Sequence, residues 1–548
     1  MNGQETETPV EQGPRAVERE RRLTPALAAL AAVYVAYAVF LSLGSNVGFP
    51  ASMQTAARLP FLADKPLGED AYYMLTMSWN IASGKGIVYN FDRVTTGIQP
   101  LSTFVYAGLA WFVQKGGGDK WAFARAVLLF CLLCGLLFAW QCGRIVFRLT
   151  PGAADLRSAA FATAFVAALF HFSLFGLLGY GLETAIYLVL LSACVLFTLR
   201  LKPGPGMGSA ILFGGLAGLT GLARIDFGVV LGFFMGWMLW KRRVRIAWAL
   251  AAGVAALAVV SPWFLWVRSA SGRWMPSSGS AQFAIISIKD APDRFWQLFK
   301  ALIGHLAPWA SAGSKYFVLL AFVSLVLVLF WLTRTKRLFR GLAESLSESG
   351  FFAGWAVALA GLVAVYGLFF WAGHFYPRYT APVLALTLPV FALAAAARMK
   401  SLPPAGKTAV LLILPLCFFF WAARTYHRGR IAFSMTIAAG VIQKEFPPPH
   451  KVGAFQSGVL GFFNDNVYNL DGKIDPQALL FLKKGAIDAY IDREEINVLI
   501  DWPGYYWAYI PDAYLKRDWV LRDEPSFIET RSEGPPATLI WCYVRRGR

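Results

Sequence analysis

Histidine and cysteine are scarce in this chain, at five and six residues in 548. Charge is scarce as well, at 15% of residues, and acids are outnumbered by Lys and Arg, 32 to 51. Each shortage excludes something. Cys131 and Cys134 form a CxxC, but within an apolar run and with no histidine or acid beside them, which speaks against a metal or redox centre. Cys142, Cys194 and Cys417 also sit in apolar runs, and only Cys542 falls in a polar segment, so no disulfide framework is implied. The formal net charge of +19 suggests a polyanionic partner, yet Lys and Arg gather at the ends of apolar runs. That is the pattern of membrane topology and excludes a nucleic-acid face.

What the chain has in excess is apolar: 57% of residues are hydrophobic, in repeated runs of about 20. The expected fold is an all-α polytopic membrane bundle. Residues 1–24 are a polar tail with Arg19, Arg21 and Arg22 before the first apolar run; no cleavage site follows, so the tail reads as cytoplasmic and the run at about 25–43 as an anchor. Further spans are expected at about 121–147, 158–177, 181–200, 207–222, 227–240, 246–266, 311–333, 351–372, 379–398 and 407–423, about eleven in all. The run 101–113 is too short to cross, and as a span it would place Arg144, Arg148 and Arg157 outside. It is read as a juxtamembrane helix on the outer surface. Residues 70–82 are read as another, with Ala71, Met74, Leu75, Ser78, Trp79 and Ala82 on one stripe. The clusters Arg200/Lys202, Lys241/Arg242/Arg243/Arg245, Arg334/Lys336/Arg337/Arg340 and Arg398/Lys400 then all face the cytoplasm.

The division expected is a bundle at 25–423, with an outer loop at 44–100, and a C-terminal soluble α/β domain at 424–548 facing the periplasm or an equivalent compartment. There, β-rich runs at 452–456, 467–470, 497–501 and 538–544 alternate with helical stretches such as 476–490, after a stiff lead-in of Pro447, Pro448 and Pro449.

The polar residues of chemical interest fall in the outer-facing loops. The first carries Glu69, Asp70, Arg93, Thr95, Thr96 and Gln99; shorter turns carry Tyr180 with Glu183, and Arg224 with Asp226. Arg268, Arg273, Lys289 and Arg294 follow the seventh span, and His374-Phe375-Tyr376-Pro377-Arg378-Tyr379 precedes the tenth. Acids beside a bilayer are costly and mark function. A hydroxyl nucleophile needs a base and a phosphate leaving group needs fixed cations; this one face supplies both.

An acid soon after the first span, then Asn80-Ile81-Ala82-Ser83-Gly84-Lys85-Gly86 and Thr96-Gly97-Ile98-Gln99-Pro100-Leu101, resembles the GT-C superfamily of polyprenyl-phosphate-sugar-dependent membrane glycosyltransferases. Within it the chain is most similar to the arabinofuranosyltransferase B type. Gly181-Leu182-Glu183-Thr184, Leu222-Ala223-Arg224-Ile225-Asp226, Tyr376-Pro377-Arg378-Tyr379, Gly458-Val459-Leu460-Gly461-Phe462-Phe463 and Asn469-Leu470-Asp471-Gly472 extend the resemblance in order along nearly the whole chain. It implies a catalytic pair Glu69-Asp70 with Asp70 as general base, Arg378 and Arg224 as donor phosphate ligands, and Asp226, Glu183, Gln99, His374 and Tyr376 as substrate contacts. No DxD is present, so no metal ligands are assigned, no cofactor is required by default, and inversion at the anomeric carbon is the simplest course.

Structural roles stand beside these. Asp70 begins a helix and is a natural N-cap, a role compatible with catalysis. Glu183 is open to capping, Arg224 and Asp226 to an interfacial salt bridge, and Arg378 to snorkelling. His374 and Tyr376 are equally open to packing and to an aromatic belt, and Asp471-Gly472 to a turn. The reading adopted is transfer of a sugar, arabinofuranose in the nearest family, to a cell-envelope glycan at the outer face of a bacterial plasma membrane. The alternatives are a secondary transporter for an anionic solute, and a same-fold enzyme acting on lipid A or protein. Against the transporter stand the single polar face and the lack of paired, Gly/Pro-broken spans.

Overall fold

The computed structural model describes residues 14–50, 54–55, 59–90, 93–150, 154–202, 204–279, 288–306, 323, 350–370, 376–399, 402–427, 430–431, 434–522 and 540–547. Among them six helices are long and apolar enough to cross a membrane. They are Pro25–Gly44 within α1 (Pro14–Gly44), α4 (Lys120–Leu149), α10 (Ile246–Ser271), α12 (Phe351–Phe369), the run Tyr376–Met399, and Gly406–Tyr426. A seventh is added if α5 (Ala154–Leu169) and α6 (Phe172–Gly179), which meet at a 51° bend, are one broken span. The expected count of eleven is therefore met only in part. The expected spans near 181–200, 207–222 and 227–240 are α7 (Thr184–Thr198), α8 (Met207–Ala223) and α9 (Phe227–Trp240), helices of 15, 17 and 14 residues. At about 1.5 Å per residue they fall short of a ~30 Å hydrocarbon core. The expected span 311–333 lies outside the described residues apart from Val323.

These helices alternate in direction. The start of α7, the end of α8, the start of α9 and the end of α10 meet at one end of the bundle. Arg200 and Lys202, after α7, and Lys241 to Arg245, after α9, lie at the other.

At the first end lie α2 (Glu69–Ala82) and α3 (Pro100–Lys115). Pro100 at the first turn pre-sets the φ that α3 needs. The two pack together, as juxtamembrane helices should. The sequence stripe expected α2 to have a wet face. Instead Ala71 to Ser78 and Asn80 are all buried, because the C-terminal helix Gly458–Phe463 packs on the other side.

That sheet has the order β4 (Val467–Asn469), β3 (Val452–Ala454), β5 (Val498–Asp501), β7 (Trp541–Arg545), β6 (Trp519–Leu521). Strands β4, β3 and β5 are parallel, and β7 and β6 close the sheet antiparallel. Four of the strands match the expected β-rich runs. The expected helix 476–490 is two, α18 (Pro476–Lys483) and α19 (Ile487–Arg493), parted at Gly485 with φ +66. Alternate strand residues feed two cores. Phe455, Leu499, Tyr490 and Tyr506 form one with the outer helices. Val452, Ala454, Val498 and Ile500 join the bundle's own core through Val459, Leu460 and Phe462 of α17 (Gly458–Phe463). The sheet is thus continuous with the membrane bundle.

Candidate active site

Gly68 adopts an extended conformation before α2, and its N–H donates to the Tyr180 carbonyl at 3.0 Å, tying the first outer loop to the turn before α7. Glu69 and Asp70 occupy the first turn, where acids complement the helix dipole. Gly68 holds the cap position, and no side chain caps this helix. The partner of Asp70 is Arg378, whose Nη1 lies 3.4 Å from Oδ2.

Arg378 sits on the short helix α13 (Tyr376–Thr380). His305 braces that helix from beneath: its Nε2–H donates to the Pro377 carbonyl at 3.0 Å, and its Nδ1 accepts from the Ser173 hydroxyl at 2.8 Å. Arg294, fully buried, donates to the carbonyls of Gly367 and Leu368 at 2.9 Å each and so caps the end of α12. Neither brace was legible in the sequence as more than a loop residue.

The junction of α8 and α9 supplies the next pair. Arg224 is buried, with its Nε 3.2 Å from Asp226 Oδ1 and its Nη2 on Asp226 Oδ2, a bidentate fork. Its Nη1 donates to the Arg378 carbonyl at 3.1 Å. The Tyr366 hydroxyl donates to Asp226, and the rings of Tyr187 and Tyr379 lie 5.2 and 4.8 Å from the Arg224 guanidinium carbon. Glu183 lies between the arginines, 3.7 Å from Arg378 Nε and 3.9 Å from Arg224 Nη1.

These groups line one cavity of about 400 Å³. Asp70, Glu183, Arg224, Asp226, Gln99 and Arg378 all face it, and Gln99 Oε1 is buried there with no hydrogen-bond partner among the described residues. Its apolar side comes from the membrane helices, through Val229, Leu362, Val365 and Phe369, the last half exposed. Lys473 completes the lining and was not singled out in the sequence; the one signal was its place in the turn after Asp471-Gly472. Its Nζ lies 3.1 Å from Asp471 Oδ2, and that carboxylate, with Asp70 beyond, holds the ammonium well above the usual lysine range.

Two expected site residues, Glu69 and Tyr376, are not brought to this cavity. Glu69 points to the start of α17: its carboxylate accepts from the N–H groups of Gly458 at 2.5 Å and Val459 at 3.1 Å. Desolvation pushes its carboxyl up to about 8, against the pull of those amides and with the help of Asp70. A side chain at Gly458 would collide with the Glu69 carbonyl, so this close approach requires glycine. Tyr376 is buried, with its hydroxyl donating to the Phe370 carbonyl at 3.0 Å. His374 lies outside the described residues. Among the described residues no three of His, Cys, Asp and Glu are grouped to hold a metal ion.

At the level of sequence the chain matches no family profile and no curated protein. In three dimensions it is similar to ArnT from Cupriavidus metallidurans in the apo state, with a TM-score of 0.55 and 14% identity over 94% of this chain and 98% of ArnT. The ArnT structure bound to undecaprenyl phosphate gives 0.51 and 13% over the same shares of 94% and 98%. The apo oligosaccharyltransferase of Archaeoglobus fulgidus gives 0.50 and 12%, covering 87% of this chain and 70% of that one. Over nearly its whole length the chain therefore has the fold of ArnT.

Proposed function

We propose that this chain is an integral membrane glycosyltransferase that moves a sugar from a polyprenyl-phosphate donor to a cell-envelope glycan, at the outer face of a bacterial plasma membrane. The observation that carries this is the composition of the 400 Å³ cavity: a carboxylate from the first outer loop faces two arginines from the bundle, beside an apolar wall of membrane helices. The basic clusters at the opposite end of α7 and α9 support an outward-facing cavity, since Lys and Arg mark the cytoplasmic side. The fold neighbour that holds undecaprenyl phosphate supports a lipid carrier as donor.

In this reading the lipid tail lies along Val229, Leu362, Val365 and Phe369, and the phosphate takes the hydrogen bonds of Arg378, with Arg224 and Lys473 as further cations. Arg378 leaves Asp70 to do so. The freed carboxylate accepts the proton of an acceptor hydroxyl as that oxygen bonds to the anomeric carbon and the carbon–oxygen bond to phosphate breaks. Attack opposite the leaving phosphate inverts the centre. Polyprenyl phosphate departs with its charge spread over the fixed cations. The scheme assigns no role to a metal by default, and Glu69 acts outside the chemistry, as a tie between α2 and α17. Gln99, Glu183 and Asp226 hold the sugar and the arginines. Residues 424–548 act as one outer domain, and arabinofuranose is the sugar proposed, on the resemblance alone.

The test is transfer from radiolabelled polyprenyl-phosphate arabinose to a mixed envelope-glycan pool by purified protein, wild type beside Asp70→Asn. Asparagine keeps the size and helix-start chemistry of aspartate but cannot take a proton. A loss of roughly 10²-fold or more in a normally folded variant is expected. Equal transfer by both proteins would remove Asp70 from the mechanism.

A further inference from the structure

A second cavity, of about 530 Å³, adjoins the first and has no part in the scheme above. Its size is ordinary for a ligand site, typically ~300–1,000 Å³. The wall between the two is built from three chain segments, and each segment lines both. Thr96 faces the second cavity and Gly97 the first; Ser277 the second and its neighbours Pro276 and Ser278 the first; Asp475 the second and Lys473 the first. Met275 lines both.

The wall is a bonded structure. The Ser277 N–H donates to Thr96 Oγ1 at 3.1 Å, and the Ser277 hydroxyl donates to the Lys473 carbonyl at 2.8 Å. Gly97 packs so closely against that carbonyl that a side chain there would collide with it. Behind the wall Arg93 is fixed by Asp475 at 3.0 Å, by Glu494 and by the Tyr490 hydroxyl at 2.7 Å. Rigid walls on both sides fix the relative position of the two cavities.

The lining of the second cavity has two kinds of surface. Val94, Met275, Leu479 and Leu480 are apolar. Arg273 and Gln477 are polar and exposed, and neither side chain has a hydrogen-bond or ionic partner among the described residues. Planar amide and guanidinium groups beside an apolar surface suit one chemical class well. A sugar ring has hydroxyls that pair with such groups and C–H faces that pack on apolar side chains. A free phosphate or a lipid headgroup would meet Asp475 at the wall, and the two other arginines of the lining, Arg93 and Arg493, are already held by acids, the latter by Glu494 at 2.8 Å.

We infer that the second cavity binds the acceptor glycan beyond the residue that reacts, so that the acceptor chain crosses the Thr96–Ser277 contact with its reacting hydroxyl at Asp70. This rests on the glycosyltransferase reading and deepens it: the enzyme reads acceptor length, with Arg273 and Gln477 as the residues that do so. Both stand apart from the groups placed in the chemistry.

The experiment is calorimetric titration of the full chain in nanodiscs with linear pentose and hexose oligosaccharides of four residues, each beside its own monosaccharide, with transfer measured in parallel. At least one tetrasaccharide is expected to bind tenfold or more tightly than its monosaccharide, and Arg273→Ala/Gln477→Ala to erase that gain while leaving monosaccharide affinity and thermal stability in place. If no oligosaccharide binds better than its monosaccharide, or if the gain survives the double substitution, the inference is overturned. Length-dependent binding without transfer from any polyprenyl-phosphate sugar overturns the enzymatic reading and leaves a glycan site. Transfer with length-independent affinity overturns the glycan site and leaves the enzyme.

Discussion

Arg224 separates two roles, support of the fold and, in the proposed reaction, attraction of phosphate. Its side chain is 2% exposed, against 22% for Asp226 and 4% for Glu183. Replacing it with methionine keeps an apolar stem but leaves Asp226 with the Tyr366 hydroxyl and Glu183 with Arg378. Of the five charges Asp70, Glu183, Arg224, Asp226 and Arg378, the three acids then face a single cation. Breaking one partner out of a buried pair costs about 3–5 kcal/mol, and the partial exposure of Asp226 points to the lower end, near 3 kcal/mol. Removing both partners is far cheaper, so Arg224→Met/Asp226→Leu is expected to lie within about 1 kcal/mol of the wild type, ~2 kcal/mol more stable than Arg224→Met alone. Unfolding in mixed micelles with a rising fraction of dodecyl sulfate, followed by tryptophan fluorescence, reads these differences. Transfer should be lost in Arg224→Met and stay lost in the double variant, because stability returns and the cation does not. An Arg224→Met protein as stable as the wild type, or a double variant as unstable as the sum of its parts, would refute the electrostatic account.

Asp501 accepts from the N–H groups of Phe455, Gln456 and Trp502, yet desolvation pushes its carboxyl up to about 7, with Asp471 adding to the rise. Between pH about 4 and 7 the folded chain therefore holds a proton that the unfolded chain has released, so stability falls as pH rises through that window. Glu69 contributes with the same sign from about 4.5 to about 8. Thermal unfolding across this range should show a shallower pH slope in Asp501→Asn than in the wild type; parallel curves would count against the protonated carboxyl. Gly97→Ala places a methyl against the Lys473 carbonyl and 2.7 Å from Ser277 Oγ, an overpacking worth about 1–3 kcal/mol. Because that carbonyl anchors the wall between the cavities, acceptor KM should rise at least tenfold in the same variant, and an unchanged KM in a destabilised protein would show the wall to be passive.

The polar groups that reach the cavity were legible because each interrupts an apolar pattern. Asp70, Glu183, Arg224, Asp226 and Arg378 all stand at the ends of apolar runs, where a charge has few neutral explanations. Glu69 misled for a geometric reason. Successive residues on a helix point about 100° apart, so a neighbour of a cavity acid faces elsewhere. Tyr366 was invisible because nothing local marks it, and Lys473 had no mark beyond its turn; only the packing of the C-terminal part against the bundle, and of α12 beside α9, brings them in. The burial of α2 on nearly all sides was hidden for the same reason. Its stripe correctly placed Ala71, Met74 and Leu75 inward, but no pattern within residues 69–82 reports a cover supplied from residue 458 onward. The parallel strands were readable as short β-branched runs, while β6, three residues long with Val520 exposed, offered too little alternation to be found.

The contacts between α2 and the turn at 457–459 also set an order of events during synthesis. Glu69 meets the Gly458 N–H across 389 residues, and Tyr73 meets the Ser457 N–H across 384. A ribosome adding roughly 5–20 residues per second needs on the order of 20–80 s to cover that distance. Throughout that interval α2 has left the ribosome while the surface that will bury its second side does not yet exist. The cavity that holds Asp70 is therefore among the last parts of the molecule to close, and a chain truncated before residue 458 keeps its membrane helices but never supplies Lys473 and Ile474 to that cavity's lining.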